Sequence, residues 1–133
     1  MNWKYVKPLE STENIDRFEC LVKYAFPDDF RRCVQKHNGG RPERRVFDTN
    51  KARERVMKSF LSFNRGDLET VWDIREWNRE ELGERYIAFA IDNFGNLIAF
   101  DADTDHIVFI NHEDMTVEQI ADSFVKFMAK LRS

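Results

Sequence analysis

The clearest hydrophobic pattern lies between Tyr86 and His112, where three short apolar runs are separated by two polar stretches. Residues 97–100 and 107–110 are continuously apolar, which is typical of strands buried on both faces. The polar stretches 92–96 and 101–105 are rich in Asp, Asn and Gly, which favour turns. We therefore expect a three-stranded meander with two hairpin turns, and we expect it to form the core of a sheet.

The N-terminal part of the chain has the spacing of helices. After the Ser-Thr pair at 11–12, apolar residues recur three or four positions apart, which predicts a first helix that runs to Tyr24. Pro27, followed by two acidic residues, predicts the start of a second short helix. The Asn-Gly-Gly sequence at 38–40 supplies residues that commonly end helices.

The middle of the chain is more polar. Residues 41–54 are highly charged, only 45–47 resemble a strand, and we expect a mobile loop here. Residues 56–63 suit a strand. The apolar residues within 68–82 predict a third helix, which ends at Gly83.

The C-terminal segment has the most regular helical periodicity, and it predicts one helix over residues 117–131 that packs on the sheet. Thr116 and Gln119 have the spacing of a capping box, and Met115 and Ile120 that of a hydrophobic staple. The apolar positions of this stripe are Val117, Ile120, Ala121, Phe124, Phe127, Met128 and Leu131.

Length favours one domain over residues 1–133. The 12 Phe and 3 Trp residues supply material for its core. No apolar run reaches the roughly 18 residues of a membrane span, and the N-terminus lacks the apolar segment of a signal peptide, so we expect a cytoplasmic protein. Cys20 and Cys33 lie in helical apolar patterns, which predicts buried free thiols.

The net charge of −3 conceals a strong segregation of charge along the chain. Residues 31–65 contain eleven Lys and Arg against three Asp and Glu, whereas residues 86–125 contain eight Asp and Glu and no Lys or Arg. We therefore expect two oppositely charged segments, a property that bears on partners more than on fold.

Six short segments follow one another along the chain: FPDDF at 26–30, HNGGRPE at 37–43, FLSFN at 60–64, IAFA at 87–90 with 92–101, HED at 112–114, and IADSF at 120–124 leading to Phe127. In this order they resemble the SUKH superfamily, which includes yeast cell-wall-assembly regulators of the Smi/Knr type and many bacterial toxin-immunity proteins. The resemblance spans nearly the whole chain. It implies an α+β domain in which the N-terminal and C-terminal helices pack on a mostly antiparallel sheet. It also implies that the domain binds another protein, typically a cognate toxin and often a nuclease, and it implies no catalytic residues.

A calcium site is one alternative function for the second turn, because Asp101, Asp103 and Asp105 alternate like the first ligands of a calcium loop. The rest of the loop does not fit, since His106 replaces the glycine and His112 the final glutamate of that motif. A solvated turn rich in aspartate explains the same residues.

Catalysis is a second alternative. His106 and His112, with Glu113 and Asp114, could share a proton or a metal ion, but their spacing matches no metal motif, and a helix dipole explains the two acids. Cys20 or Cys33 could pair with His37 as a nucleophile and its base. Both cysteines fall on positions predicted to face the core, which disfavours such a pair.

Binding of phosphate or nucleic acid is the third alternative. The Asn-Gly-Gly turn follows a helix, whereas phosphate-binding loops precede one. The basic run 41–55 contains Phe47 as its only aromatic residue, and the chain is acidic overall. Both observations disfavour binding of nucleic acid.

The leading hypothesis is a non-enzymatic intracellular immunity protein that occludes a cognate toxin, with no cofactor, no metal, no direct contact with nucleic acid or membrane, and a monomeric or weakly dimeric state. A regulatory or scaffold domain of the same fold, and a small hydrolase or metal-dependent enzyme, are the rivals. We expect the partner to bind the acidic meander. The predicted contact residues are Asp92, Asn93, Asp101, Asp103, Asp105, Glu113 and Asp114.

Overall fold

The computed structural model describes residues 1–133 and contains eight strands and five helices, an α+β architecture that confirms the predicted fold class. A six-stranded antiparallel sheet has the order β3 to β8, and β1 pairs separately with β2. No helix is both long and apolar enough to cross a membrane. The elements are β1 (Trp3–Lys4), α1 (Glu13–Val22), α2 (Asp28–His37), β2 (Arg41–Pro42), β3 (Val46–Phe47), β4 (Arg55–Phe60), α3 (Val71–Trp77), α4 (Arg79–Leu82), β5 (Tyr86–Asp92), β6 (Leu97–Asp101), β7 (Ile107–Ile110), β8 (Val117–Ala121) and α5 (Phe124–Lys130).

The predicted meander is confirmed as β5, β6 and β7, which lie in the middle of the sheet. Every residue of β6 and β7 is buried, as their continuous apolar runs predicted. Gly95 in the first turn has a φ of +84°, a conformation that a glycine adopts without strain.

The predicted single C-terminal helix is wrong in its first half. Residues 117–121 form β8, which pairs antiparallel with β7, and the helix starts only at Phe124. The side chain of Ser123 caps it, accepting a hydrogen bond from the Lys126 N–H at 3.1 Å. The open edge of β7 explains the difference, because β8 satisfies a row of backbone groups that a helix would leave unpaired.

The capping box and the staple predicted at the start of that helix do not form. The Thr116 hydroxyl donates to Asp114, and the Gln119 amide contacts Asp122 and the His106 ring. Met115 is exposed rather than packed on Ile120.

The third helix is shorter than predicted and divided in two. Thr70 caps α3, accepting from the Asp73 N–H at 3.1 Å, so the helix begins at Val71 rather than at Leu68. Asn78 separates α3 from α4, and its side-chain amide donates to the Ile74 carbonyl at 2.8 Å. Asn competes with the helix by such local bonds, which explains the break.

Phenylalanines from helices and strands form the centre of the core. Phe30 of α2 lies 5.1 Å, between ring centroids, from both Phe100 of β6 and Phe124 of α5. Phe89 of β5 is 4.9 Å from Phe100. The C-terminal helix therefore packs on the sheet as predicted, through its buried residues Phe124 and Phe127.

Both cysteines are free, as predicted, but their predicted burial is only half right. Cys20 is exposed, because the buried stripe of α1 is formed by Ile15, Phe18 and Val22. Cys33 is half-buried, and burial raises the pKa of its thiol to about 12.

Candidate functional site

The seven predicted contact residues lie at opposite ends of the meander. Turns 92–96 and 111–116 lie side by side at one end, which we call the paired-hairpin end, and turn 101–106 lies at the other, the Asp-turn end. Alternate turns of an antiparallel meander must lie at opposite ends, and five-residue strands separate them by about 15 Å. The acidic residues therefore form two surfaces rather than one.

At the paired-hairpin end, Asp92 holds the first turn in shape. It is buried, and its carboxylate accepts hydrogen bonds from the N–H groups of Phe94 and Asn96, at 2.8 and 2.9 Å, and from the Asn96 amide at 2.8 Å. The Asn96 side-chain oxygen accepts from the His112 N–H at 2.8 Å. This network joins the two turns, and it leaves Asn93 as the exposed predicted residue of turn 92–96.

The neighbouring turn contains the other two predicted residues of this end. Asp114 binds the Lys51 ammonium at 2.8 Å and also accepts from Thr116, and the Lys51 hydrogen bond is the main reason that the pKa of Asp114 lies below its usual range. Glu113 is exposed and forms no ion pair. Its carboxylate is therefore the exposed, unpaired acidic group of these two turns.

At the Asp-turn end, one carboxylate is structural and two are accessible. Asp101 is buried and accepts two hydrogen bonds from Arg85, at 3.1 and 2.9 Å, which hold its pKa below the usual range. Asp105 accepts from the Tyr24 hydroxyl at 2.6 Å, and burial, followed by this carboxylate, raises the tyrosine pKa. Asp103 is exposed, 3.4 Å from Arg85.

The basic segment folds back onto the acidic one, because the sheet is curled. Phe47 of β3 lies 5.9 Å from Phe109 of β7, between ring centroids, although three strands separate β3 and β7 in the sheet. The guanidinium of Arg55 lies 4.3 Å from the Phe109 ring centroid, and Lys51 reaches Asp114. The opposite charges of the two segments are therefore partly neutralised within the molecule.

The structure does not assemble the alternative metal and catalytic sites. His106 and His112 lie at opposite ends of β7, up to about 20 Å apart. No group of three or more His, Cys, Asp or Glu residues is placed to hold a metal ion. His37, the candidate partner of a cysteine, stacks on Trp3 with ring centroids 4.4 Å apart.

Two features were not found from the sequence. Asn38 is buried and binds Ser62, so that the HNGG and FLSFN segments meet in one polar network. Phe94 is 82 % exposed, whereas the other eleven phenylalanines are buried. The only signal for Phe94 was its position inside a polar turn.

Comparison with known families agrees with this architecture. The family model SUKH_6, described as "SMI1-KNR4 cell-wall", matches residues 12–128. No curated protein sequence matches the chain significantly. The match covers most of the chain, from α1 into α5, and it fits an immunity or protein-binding domain in general. This chain belongs to the SUKH family.

Proposed function

We propose that this protein is an intracellular, non-enzymatic immunity protein, which binds a cognate nuclease toxin and blocks its active site. The observation that carries the proposal is the pair of acidic turn surfaces on a rigid sheet, in a stretch of forty residues, 86–125, without Lys or Arg. Membership of the SUKH family supports a binding role.

The mechanism is competition for a positive cleft. A nuclease must hold a polyanion, so its active site presents Lys, Arg or metal ions. Carboxylates that project from a fixed turn can occupy that cleft with little loss of conformational entropy, and they also accelerate the encounter electrostatically. The burial of β6 and β7 fixes the positions of these turns.

The seven predicted contact residues have two roles under this proposal. Asn93, Asp103, Asp105, Glu113 and Asp114 are exposed and contact the toxin. Asp92 and Asp101 are buried and hold the turns in shape. Charge reversal at a buried position would unfold the turn, so only exposed acids separate binding from folding.

The test is charge reversal at one end at a time, with Asp103→Lys for the Asp-turn end and Glu113→Lys for the paired-hairpin end. The probe is an inactivated toxin module encoded beside this gene, and association rates are measured at low and high salt. We expect slower association at low salt for at least one variant, together with weaker protection of DNA or RNA. Glu80→Lys, an exposed position on α4, makes the same charge change away from both ends.

Two results would contradict the proposal. In the first, the wild-type protein neither binds nor inhibits the adjacent module. In the second, Asp103→Lys, Glu113→Lys and the Glu80→Lys control all associate at the wild-type rate.

A regulatory or scaffold role is the second candidate, favoured by the "cell-wall" description of the matching family. Gene neighbourhood separates the two roles. An adjacent large open reading frame with a variable C-terminal toxin module supports immunity, whereas a pathway operon supports regulation.

A further inference from the structure

Phe94 is the one phenylalanine that the fold leaves outside the core. It is 82 % exposed at the tip of the β5–β6 turn, the highest value among the large hydrophobic residues of the chain. Exposing an aromatic ring of this size is unfavourable in water. The ring belongs neither to the buried core nor to the residues packed against it, so the fold itself gives no reason for its position.

The turn that carries Phe94 is held rigidly. Asp92 accepts the Phe94 N–H at 2.8 Å and two further hydrogen bonds from Asn96. A Cβ on Gly95 would lie 3.6 Å from the His112 ring, so the two turns of the paired-hairpin end are in close approach. A side chain on such a fixed turn loses little entropy when it binds.

Further exposed apolar residues and an acid lie in the neighbouring turn 111–116 and at the start of β8. Met115 is 48 % exposed with a φ of +60°, a rare conformation for a residue with a side chain, and Val117 is 40 % exposed. Glu113 beside them is exposed and unpaired. An apolar centre with a polar rim is the usual composition of a protein interface.

We propose that Phe94, together with Met115, is the apolar anchor that inserts into a pocket ringed by Lys and Arg on the partner protein. The inference rests on the proposed function and assigns the contact to the paired-hairpin end. Charge favours a basic occupant: Glu113 is exposed and unpaired, and Asp114 is exposed although it binds Lys51, whereas Asp92 is buried within its own turn. A basic protein surface is complementary to the unpaired carboxylate of Glu113.

The experiment compares Phe94→Ser with Leu68→Ser against the inactivated toxin module encoded beside this gene. Leu68 is a matched control, because it is 79 % exposed but lies in the loop before α3. We expect Phe94→Ser to weaken binding at least about 30-fold, mainly through faster dissociation. Leu68→Ser should bind like the wild type, and the melting temperature of Phe94→Ser should not fall, because the ring makes no core contact.

Three other outcomes would contradict the proposal, and they can be told apart. If the wild type binds the module and Phe94→Ser binds equally well, the anchor is wrong and the immunity function stands. If the wild type does not bind, the proposed function fails, and the anchor fails with it. If sedimentation shows a dimer that Phe94→Ser dissociates, with unchanged toxin binding, the occupant is a second copy of this chain.

Discussion

Asn38 joins three separated parts of the chain through one buried amide. Its nitrogen donates to the Lys7 carbonyl at 2.8 Å and to the Ser62 hydroxyl at 3.0 Å, and its oxygen accepts from the Phe63 N–H at 2.8 Å. The N-terminal segment, the end of α2 and the segment after β4 are therefore fixed together. The residue that ends α2 also organises the tertiary structure.

Replacement of Asn38 by Ala should lower the free energy of unfolding by about 1–3 kcal/mol for each buried group left without a partner. Urea unfolding monitored by circular dichroism measures the loss. Asn93→Ala is the matched control, because Asn93 is exposed in a turn and its loss should change stability by no more than about 0.5 kcal/mol. Equal stability of the two variants would contradict the network.

Asp101 gives the molecule a defined acid sensitivity. Its folded pKa lies below the unfolded value of about 4, because Arg85 bonds to the ionised carboxylate. A depressed pKa contributes stability above the unfolded pKa, and this contribution is lost as the pH falls through the folded pKa.

We therefore expect the unfolding free energy of the wild type to fall steeply below about pH 4. Asp101→Asn should be less stable than the wild type at pH 7, and it should lose less stability on acidification. Asp103→Asn, at an exposed position, should keep a profile close to that of the wild type. Parallel profiles for wild type and Asp101→Asn would contradict the ion pair's role.

At the scale of elements, β8 and α5 divide a segment whose spacing predicted a single helix. Phe124 and Phe127 are buried as that prediction required, whereas Val117 is 40 % exposed on a strand. The few apolar residues of 117–121 fit a helix as well as a strand. Pairing with β7 decided in favour of the strand.

Phe124→Ala should lower the unfolding free energy by about 3–5 kcal/mol, because the ring packs against Phe30, Phe60, Phe89 and Phe100 and would leave a cavity. Val125→Ala is the control on the same helix, at a side that is 58 % exposed. It should cost well under about 1 kcal/mol. Denaturant midpoints that barely differ between the two variants would contradict the packing of α5.

At the scale of the whole molecule, the curled sheet places oppositely charged segments in contact. Asn50 and Lys51, from the loop between β3 and β4, bind Glu118 and Asp114, from β8 and the turn before it. The acidic surfaces that remain free are the exposed parts of the turns. Charge along the sequence therefore overstates the charge that a partner meets.

Titration with calcium, zinc or manganese should leave the melting temperature unchanged, since no cluster of ligands is preassembled. A metal that bound only the folded state would add about 2.7 kcal/mol at a hundred times its dissociation constant. Differential scanning fluorimetry detects such a shift. A saturable rise that Asp103→Asn or His112→Ala abolished would instead support a metal site.

The sequence by itself determined the features that depend on neighbouring residues. Continuous apolar runs specified β6 and β7, the turn residues around Gly95 specified the first hairpin, and the Asn-Gly-Gly sequence specified the end of α2. The ordered motifs also predicted the family. Local backbone preferences and burial patterns suffice for these features.

Only the tertiary structure decided the features that depend on distant partners. Residues 117–121 became a strand because the edge of β7 was open, and Asn38 became a buried junction because Ser62 and Phe63 lie beside it. The acidic residues divided into two surfaces because antiparallel strands reverse direction at each turn, and Phe94 was left exposed at one of them. Hydrogen bonds and burial between residues far apart in sequence set these outcomes, and local periodicity does not contain them.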